Sequence, residues 1–426
     1  MNRPLYSLLF YLALPIVLLR LLLRSRKAPA YRQRIAERFA FALPRFRQGG
    51  IWLHTVSVGE SIAAAPLVRA LQESYPGLPI TMTCMTPTGS ERIQAMFGEQ
   101  VQHCYMPYDL PCMARRFLRH LQPCLAIVME TELWPNHIEQ CATMGIPVML
   151  ANGRLSERSA RGYGRFPKLT APMLARMSGL AVQTQIEAER FIALGARAEA
   201  VHVTGSIKFD LHIDNQLLEQ AVGLKASWEN TQRPIWMAAS THDGEDLPIL
   251  RAHRQLLADF PDALLILVPR HPERFNAVYQ LCIEQGLKTV RRSGYERVQA
   301  VHQVLLGDTM GEMLLLYALA DVAFVGGSLV AHGGHNVLEP AALGKPVICG
   351  PHYFNFLDIV GQMQQAGALR EVKDAGELAA AVEQLWHNQE LYQAMQKAGY
   401  QVLHTNQGAL DRLMQVVADT AKTLRG

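Results

Sequence analysis

Four charged residues occupy comparable places along the chain, each just beyond a short apolar run. Glu60 ends "IWLHTVSVGE", Glu130 follows "LAIVM", Lys208 follows "VHVTGSI" and Arg270 follows "ALLILVP". If the runs are parallel strands, these residues stand at carboxyl ends, where open α/β sheets bind their ligands. A carboxylate there can take a proton from a hydroxyl. A lysine or arginine can hold a phosphate or a carboxylate. Each residue also has an ordinary structural reading. Glu60 opens a helical stretch and would complement its dipole. Glu130 and Glu132 precede a helix starting near Pro135, and a lone lysine such as Lys208 is commonly a solvated surface residue.

The second half carries a more specific pattern, "VGGSLVAHGGHNVLEPAALGKPVICGP", from Val325 to Pro351. It reads as a strand, a glycine-rich loop with two histidines, a helix entered near Asn336, and another strand. Glycine amides beside a helix start suit an anion such as phosphate. Glu339 fits either of two roles, the reciprocal partner of Asn336 in a capping box or an acceptor for two ribose hydroxyls. His332 and His335 lack a third ligand at metal spacing, so no metal is expected. In "LLGDTMGEM" the backbone of Met310 and Gly311, with Glu312 at a helix start, either reads a base edge or turns a corner. The chain has no Asp-x-Asp, which argues against a metal-bridged diphosphate donor. No GxGxxG follows the first strand, which argues against a dinucleotide.

The elements that must position these residues alternate. Strand candidates fall at 51–56, 79–84, 101–105, 125–129, 146–150, 179–183 and 201–204, then at 235–239, 263–268, 302–306, 322–326 and 346–349. Periodic segments such as 61–75, 176–194 and 246–259 separate them. Alternation throughout means parallel sheets with helices on both faces. The two series part near 206–234, and 426 residues exceed one core. The expected fold is α/β, two doubly wound Rossmann-like domains facing a cleft. Residues 28–206 form the first domain and 207–426 the second, after an N-terminal segment, 1–27.

That segment, "PLYSLLFYLALPIVLLRLLL" from Pro4 to Leu23, carries one charge in twenty positions and is followed by "RSRK". The length suits a bilayer-spanning helix. No small-residue cleavage site follows, so a removable leader fits poorly. A membrane anchor is expected, spanning in preference to lying in the interface, with the basic flank on the cytoplasmic side against anionic lipid. Nine basic residues and one acid lie between Arg20 and Arg47. The net charge of the whole chain is only +4, which gives no case for nucleic acid. Seven cysteines show no metal or disulfide spacing and read as reduced thiols.

The series HTVSVGE, METELWPN, NGRLSERS, GSIKFD, ASTHDGED, VPRHPERF, GDTMGE and GGSLVAHGGHNVLEPAALGKPV resembles the 3-deoxy-D-manno-octulosonic acid (Kdo) transferase family of bacterial lipopolysaccharide synthesis. The likeness runs in order through nearly the whole chain, anchor included. It implies the two-domain glycosyltransferase fold called GT-B, and transfer of Kdo from CMP-Kdo to a lipid A precursor at the inner membrane, with inversion and without a metal or other cofactor. By the same resemblance Glu60 is the general base, and Glu130 and Lys208 stabilise the transition state. Pro269, Arg270, Met310, Gly311, Glu312, Asn336, Val337, Leu338 and Glu339 hold the CMP. Relatives often have proline where Val337 stands, a residue favoured at a first helical position. Arg154, Arg158, Arg161 and Arg165 either grip the acceptor's phosphates or form a solvated basic face. The competing readings are another GT-B nucleotide-sugar enzyme, such as an epimerase or a different glycosyltransferase, and a tethered nucleotide-binding module without turnover.

Overall fold

The structure, a computed structural model, describes residues 1–27, 29–211, 213–294 and 296–422. It holds two compact units. The first comprises 1–210 and 407–426, the second 211–406.

The first unit is built on strands β1 (Ile51–His54), β2 (Ile80–Cys84), β3 (Gln102–Tyr105), β4 (Leu125–Met129), β5 (Val148–Gly153), β6 (Gly179–Val182) and β7 (Val201–Val203). All pair in parallel, in the order β3-β2-β1-β4-β5-β6-β7. Because helices cover both faces, the strands are apolar on both sides rather than alternating. In β1, Trp52 packs into one core with Phe117 and Leu150, while Ile51 and Leu53 pack into the other with Leu67 and Met149. Trp52 also donates its indole N–H to Thr83 Oγ1 at 2.9 Å, which satisfies its buried polar atom.

The second unit repeats the plan with β8 (Ile235–Thr241), β9 (Leu264–Pro269), β10 (Thr289–Arg291), β11 (Val304–Leu306), β12 (Val322–Val325), β13 (Val347–Cys349) and β14 (Leu369–Glu371). Their order is β10-β11-β9-β8-β12-β13-β14, again parallel. Trp236 and Ala238 face one core; Ile235, Met237 and Ala239 face the other. In each sheet the strand order reverses beside the first strand, between β1 and β4 and between β8 and β12. These are the switch points where a crevice opens at the carboxyl edge.

Two strands have no counterpart in the sequence reading, β10 and β14. Both are three residues long and stand at sheet edges. The segment 176–194 is helical only over Gln185–Ala193, because β6 occupies 179–182. The last helix, Ala409–Lys422, was assigned by sequence to the second domain but lies in the first unit. Its Leu413, Val416 and Val417 are buried with Met149 and Ala181. Gly179 permits the approach, since a Cβ there would stand 3.1 Å from Thr420 Oγ1 and 3.3 Å from Val416 Cγ1. Asp210 pins the returning chain, accepting the amides of Gly408 at 2.7 Å and Leu410 at 2.5 Å.

The N-terminal stretch is a helix, Arg3–Lys27, long and apolar enough to cross a membrane. One side is docked on the first unit. Phe10, Leu14, Val17 and Leu18 pack against its core, and Ser7 donates to Asn136 Oδ1 at 3.0 Å. The other side exposes Leu8, Leu12, Ile16 and Leu19, with Leu12 68% and Ile16 69% accessible.

Candidate active site

In the first unit, Glu60 sits in the first turn of the helix Val58–Ala63, directly after β1. Its carboxylate folds back over the helix entrance. Oε2 accepts the Val56 amide at 2.7 Å and Oε1 accepts the Ser57 hydroxyl at 3.1 Å. The dipole reading expects such an acid to be held ionised. Here burial outweighs that effect and raises the pKa to about 7, opposed by the Val56 hydrogen bond and reinforced by the charges of Glu132 and Glu130. A carboxylate titrating near neutrality is matched to proton abstraction at working pH.

Glu130 follows β4 across the switch point. Its φ of 53° is a left-handed conformation unusual for a non-glycine residue. The Glu130 amide is held by Ala151 O at 3.0 Å, and its carboxylate meets Lys208 Nζ at 3.0 Å. Asn152, at the end of β5, is also left-handed and accepts the Ile207 amide at 3.2 Å, which fixes the short turn Ile207–Phe209 that carries Lys208. Burial, and then the Glu130 charge, raise the pKa of Glu132. Glu60, Glu130, Glu132 and Lys208 therefore form one electrostatically coupled group within the first unit. The sequence reading placed Lys208 in the second domain.

The second unit gathers the remaining candidate residues at its own carboxyl edge. Pro269 ends β9, and the Arg270 amide bonds to Thr241 O at 3.0 Å, which ties this loop to the end of β8. Met310 is exposed, and Gly311 takes a φ of 86° in the turn before the helix Met313–Leu319. The Glu312 carboxylate is already engaged. Arg292 donates to it at 2.8 and 3.1 Å, and Thr309 donates as well. Burial alone would raise its pKa, but these bonds win and hold it below the usual carboxylate range. Glu312 thus fixes the turn that carries Met310 and Gly311.

After β12, Asn336 Oδ1 accepts the Leu338 amide at 3.2 Å, and Asn336 Nδ2 donates to Glu339 Oε1 at 3.3 Å. The helix begins at Leu338, so Val337 stands just before it rather than at its first position. Its φ of −79° is one that proline also adopts. Burial raises the Glu339 pKa, opposed by Asn336 and by Arg270.

The glycine loop corrects one expectation. The amides of Gly327, Ser328 and Leu329 do not await a phosphate. They bond to the buried carboxylate of Glu245 at 2.7, 3.0 and 2.9 Å, and Glu245 also takes the His242 amide at 2.8 Å. Among the described residues the amides left without a partner in this loop include those of His335, Asn336 and Val337. Gly350 allows close backbone approach, since a Cβ there would lie 2.3 Å from Ser328 O. Glu245 lies within "ASTHDGED", but three of its four amide partners are more than eighty residues away, so no local pattern announces its role.

A family model described as 3-deoxy-D-manno-octulosonic-acid transferase (kdotransferase) matches residues 33–211, and one for glycosyl transferases group 1 matches 249–402. The 3-deoxy-D-manno-octulosonic acid transferase of Haemophilus influenzae is 47% identical over 422 residues, 98% of each chain. The chain belongs to the Kdo transferase family. This transferase is also 36% identical to the Bordetella pertussis protein of the same description, over 98% of this chain and 99% of that one. Among solved structures, a UDP-GlcNAc 2-epimerase from Neisseria meningitidis bound to UDP-GlcNAc aligns with a TM-score of 0.56 at 15% identity, covering 87% of this chain and all of that one. That likeness shows the shared fold. The transferase is a glycosyltransferase of GT-B architecture; its first sheet lies within residues 33–211, and its second, apart from β8, within residues 249–402.

Proposed function

We propose that this transferase moves Kdo from CMP-Kdo to a lipid A precursor, with inversion and without a metal. The observation that carries the proposal is Glu60, a carboxylate with its pKa raised to about 7, beside the Glu130–Lys208 pair at the switch point of the first sheet. The first unit takes the acceptor and the second takes the donor. An acceptor hydroxyl gives its proton to Glu60 as its oxygen attacks the anomeric carbon of Kdo. The bond from that carbon to the phosphate oxygen breaks, and its electron pair leaves on CMP. With one base and no covalent intermediate, attack comes from the face opposite the leaving group, as in single-base inverting glycosidases.

Charge on the leaving phosphate is met by Arg270 and by the amides of His335, Asn336 and Val337. Such preorganised donors stabilise developing negative charge without a metal ion. Pro269 and the backbone of Met310 and Gly311, fixed by Glu312, frame the base. Leu338 and Glu339 sit at the ribose end, with Glu339 accepting hydroxyl protons. Glu130 balances the positive charge that builds as the sugar becomes cationic, and Lys208 pairs with the donor's carboxylate or phosphate. Arg154, Arg158, Arg161 and Arg165 supply positive charge for the acceptor's phosphates.

The N-terminal helix seats the enzyme on the cytoplasmic side of the inner membrane. Because one side of it packs on the first unit and the other is apolar and exposed, we favour a helix lying in the interface over one that spans. The basic segment that follows meets anionic headgroups. The test is incubation with CMP-Kdo and a tetraacylated lipid A precursor in the presence of chelator. Added Kdo mass supports the reading, and its absence with intact protein refutes it.

A further inference from the structure

Four histidines from three loops meet at the carboxyl edge of the second sheet. His242 follows β8, His271 follows β9, and His332 and His335 follow β12. The Nε2 atoms of His242 and His335 are 2.9 Å apart, with the rings parallel to within 6°. His332 stacks on His242 with centroids 4.2 Å apart, and His271 meets it edge-on at 5.3 Å. Gly327 makes the room, since a Cβ there would stand 3.1 Å from the His335 ring and 3.3 Å from that of His242. Among the described residues no group of three or more His, Cys, Asp or Glu is arranged to hold a metal ion.

Two arginines, Arg270 and Arg274, stand near the pair. Arg270, Arg274, His271 and His332 act on His242, and Arg270, His271 and His332 act on His335. The acids nearby are otherwise engaged. Glu245 is bound by four backbone amides, Glu339 by Asn336, and Asp246 by Arg274 and Thr241. Glu273 lies 4.0 Å from His271. Burial first, then like-charge repulsion from these neighbours, push His242 down to about 4 and His335 down to about 3, so both rings are neutral at pH 7.

A neutral pair joined Nε2 to Nε2 holds two protons. One lies in the hydrogen bond, and the other sits on Nδ1 of the accepting ring. Nδ1 of the donating ring is bare. An anion at this edge cancels the repulsion from Arg270 and Arg274 and makes a proton on that bare nitrogen favourable.

We propose that the His242–His335 pair takes up one proton when the donor's phosphate binds, leaving the pair with one positive charge and an N–H on Nδ1 of each ring. The inference rests on the assignment of this edge to CMP. It gives the pair a positioning role. The imidazolium appears only with the phosphate, strengthens its hold as the leaving group gains charge, and is discharged when CMP departs.

The test is the affinity of the full-length protein in detergent for CMP between pH 7 and 8.5, where a phosphate with a second pKa near about 6 is fully ionised. Uptake of one proton makes the affinity fall by about tenfold per pH unit and makes the binding heat depend on the buffer's ionisation enthalpy. His242→Gln and His335→Gln should still bind CMP, with the fall reduced to less than about twofold per unit. Wild-type affinity that is flat with pH and indifferent to buffer overturns the proposal, as does an unchanged slope in both variants. If the wild type does not bind CMP at all, the donor-site assignment itself fails. Binding without proton uptake leaves that assignment standing.

Discussion

Replacing Glu60 by glutamine should make the protein more stable while removing its activity. The Glu60 carboxyl rises from 4.5 to about 7 on folding, so the folded chain binds this proton more tightly than the unfolded chain. Stability therefore falls as pH rises from 4.5 to about 7, and above that the full cost of an ionised Glu60 is present. At 1.36 kcal/mol per unit the shift corresponds to about 3 kcal/mol, an upper figure because Glu60 is only partly buried. Glutamine has nearly the same shape. Its oxygen can keep the Val56 amide and its nitrogen can donate to Ser57. Glu60→Gln is thus expected to gain about 1–3 kcal/mol at pH 8, or about 3–8 °C in unfolding temperature for a unit of this size, and almost nothing at pH 4. Transfer of Kdo should fall at least about 100-fold. Thermal unfolding at the two pH values, with product mass measured on the same samples, checks both halves. A variant less stable than wild type at pH 8, or one that keeps full transfer, refutes the reasoning.

The acid limb of the pH–rate profile should lie near pH 7, and Glu132→Gln, which removes a like charge, should move it down by about half a unit, so that transfer at pH 6 rises about 2.5-fold relative to the plateau; an unmoved limb would disconnect Glu132 from the base. Glu245→Gln leaves part of the set of four amides unsatisfied and is expected to cost the second unit about 2–3 kcal/mol in urea unfolding and to weaken CMP binding, even though Glu245 is not proposed to touch CMP; unchanged unfolding would show that the carboxylate does not hold the loop. Leu12→Asp with Ile16→Asp should abolish flotation with anionic vesicles without changing the unfolding temperature, because both side chains are exposed; retained flotation would place the membrane contact elsewhere.

The parts of the fold that can be read in the sequence are those fixed by local apolar pattern. "ITMTC" and "LAIVM" are strands because both faces of a parallel sheet are buried, and unbroken apolar runs of that length have few other uses. "TVR" and "LRE" form β10 and β14 through pairing with one neighbour each, which three residues with charged ends do not announce. The helix Ala409–Lys422 has the same amphipathic pattern whichever sheet it covers, so its membership could not be read from its residues. At the site, Glu60, Glu130, Lys208 and Arg270 are visible as polar residues where strands end. The direction of the Glu60 shift is not visible, because it comes from burial and from acids seventy residues onward. The glycine loop misleads for a related reason. Its amides look available until Glu245 is seen to fill them.

The return of the chain to the first unit also sets an order of events during synthesis. The first sheet is complete once β7 has emerged, but the helix that covers Met149 and Ala181, Ala409–Lys422, follows the whole second unit in the chain. The second unit, 211–406, must be translated in between. At about 5–20 residues per second this leaves an apolar face of the first sheet uncovered for about 10–40 s. A stop placed just after residue 406 would therefore damage the unit that was made first and leave the second whole.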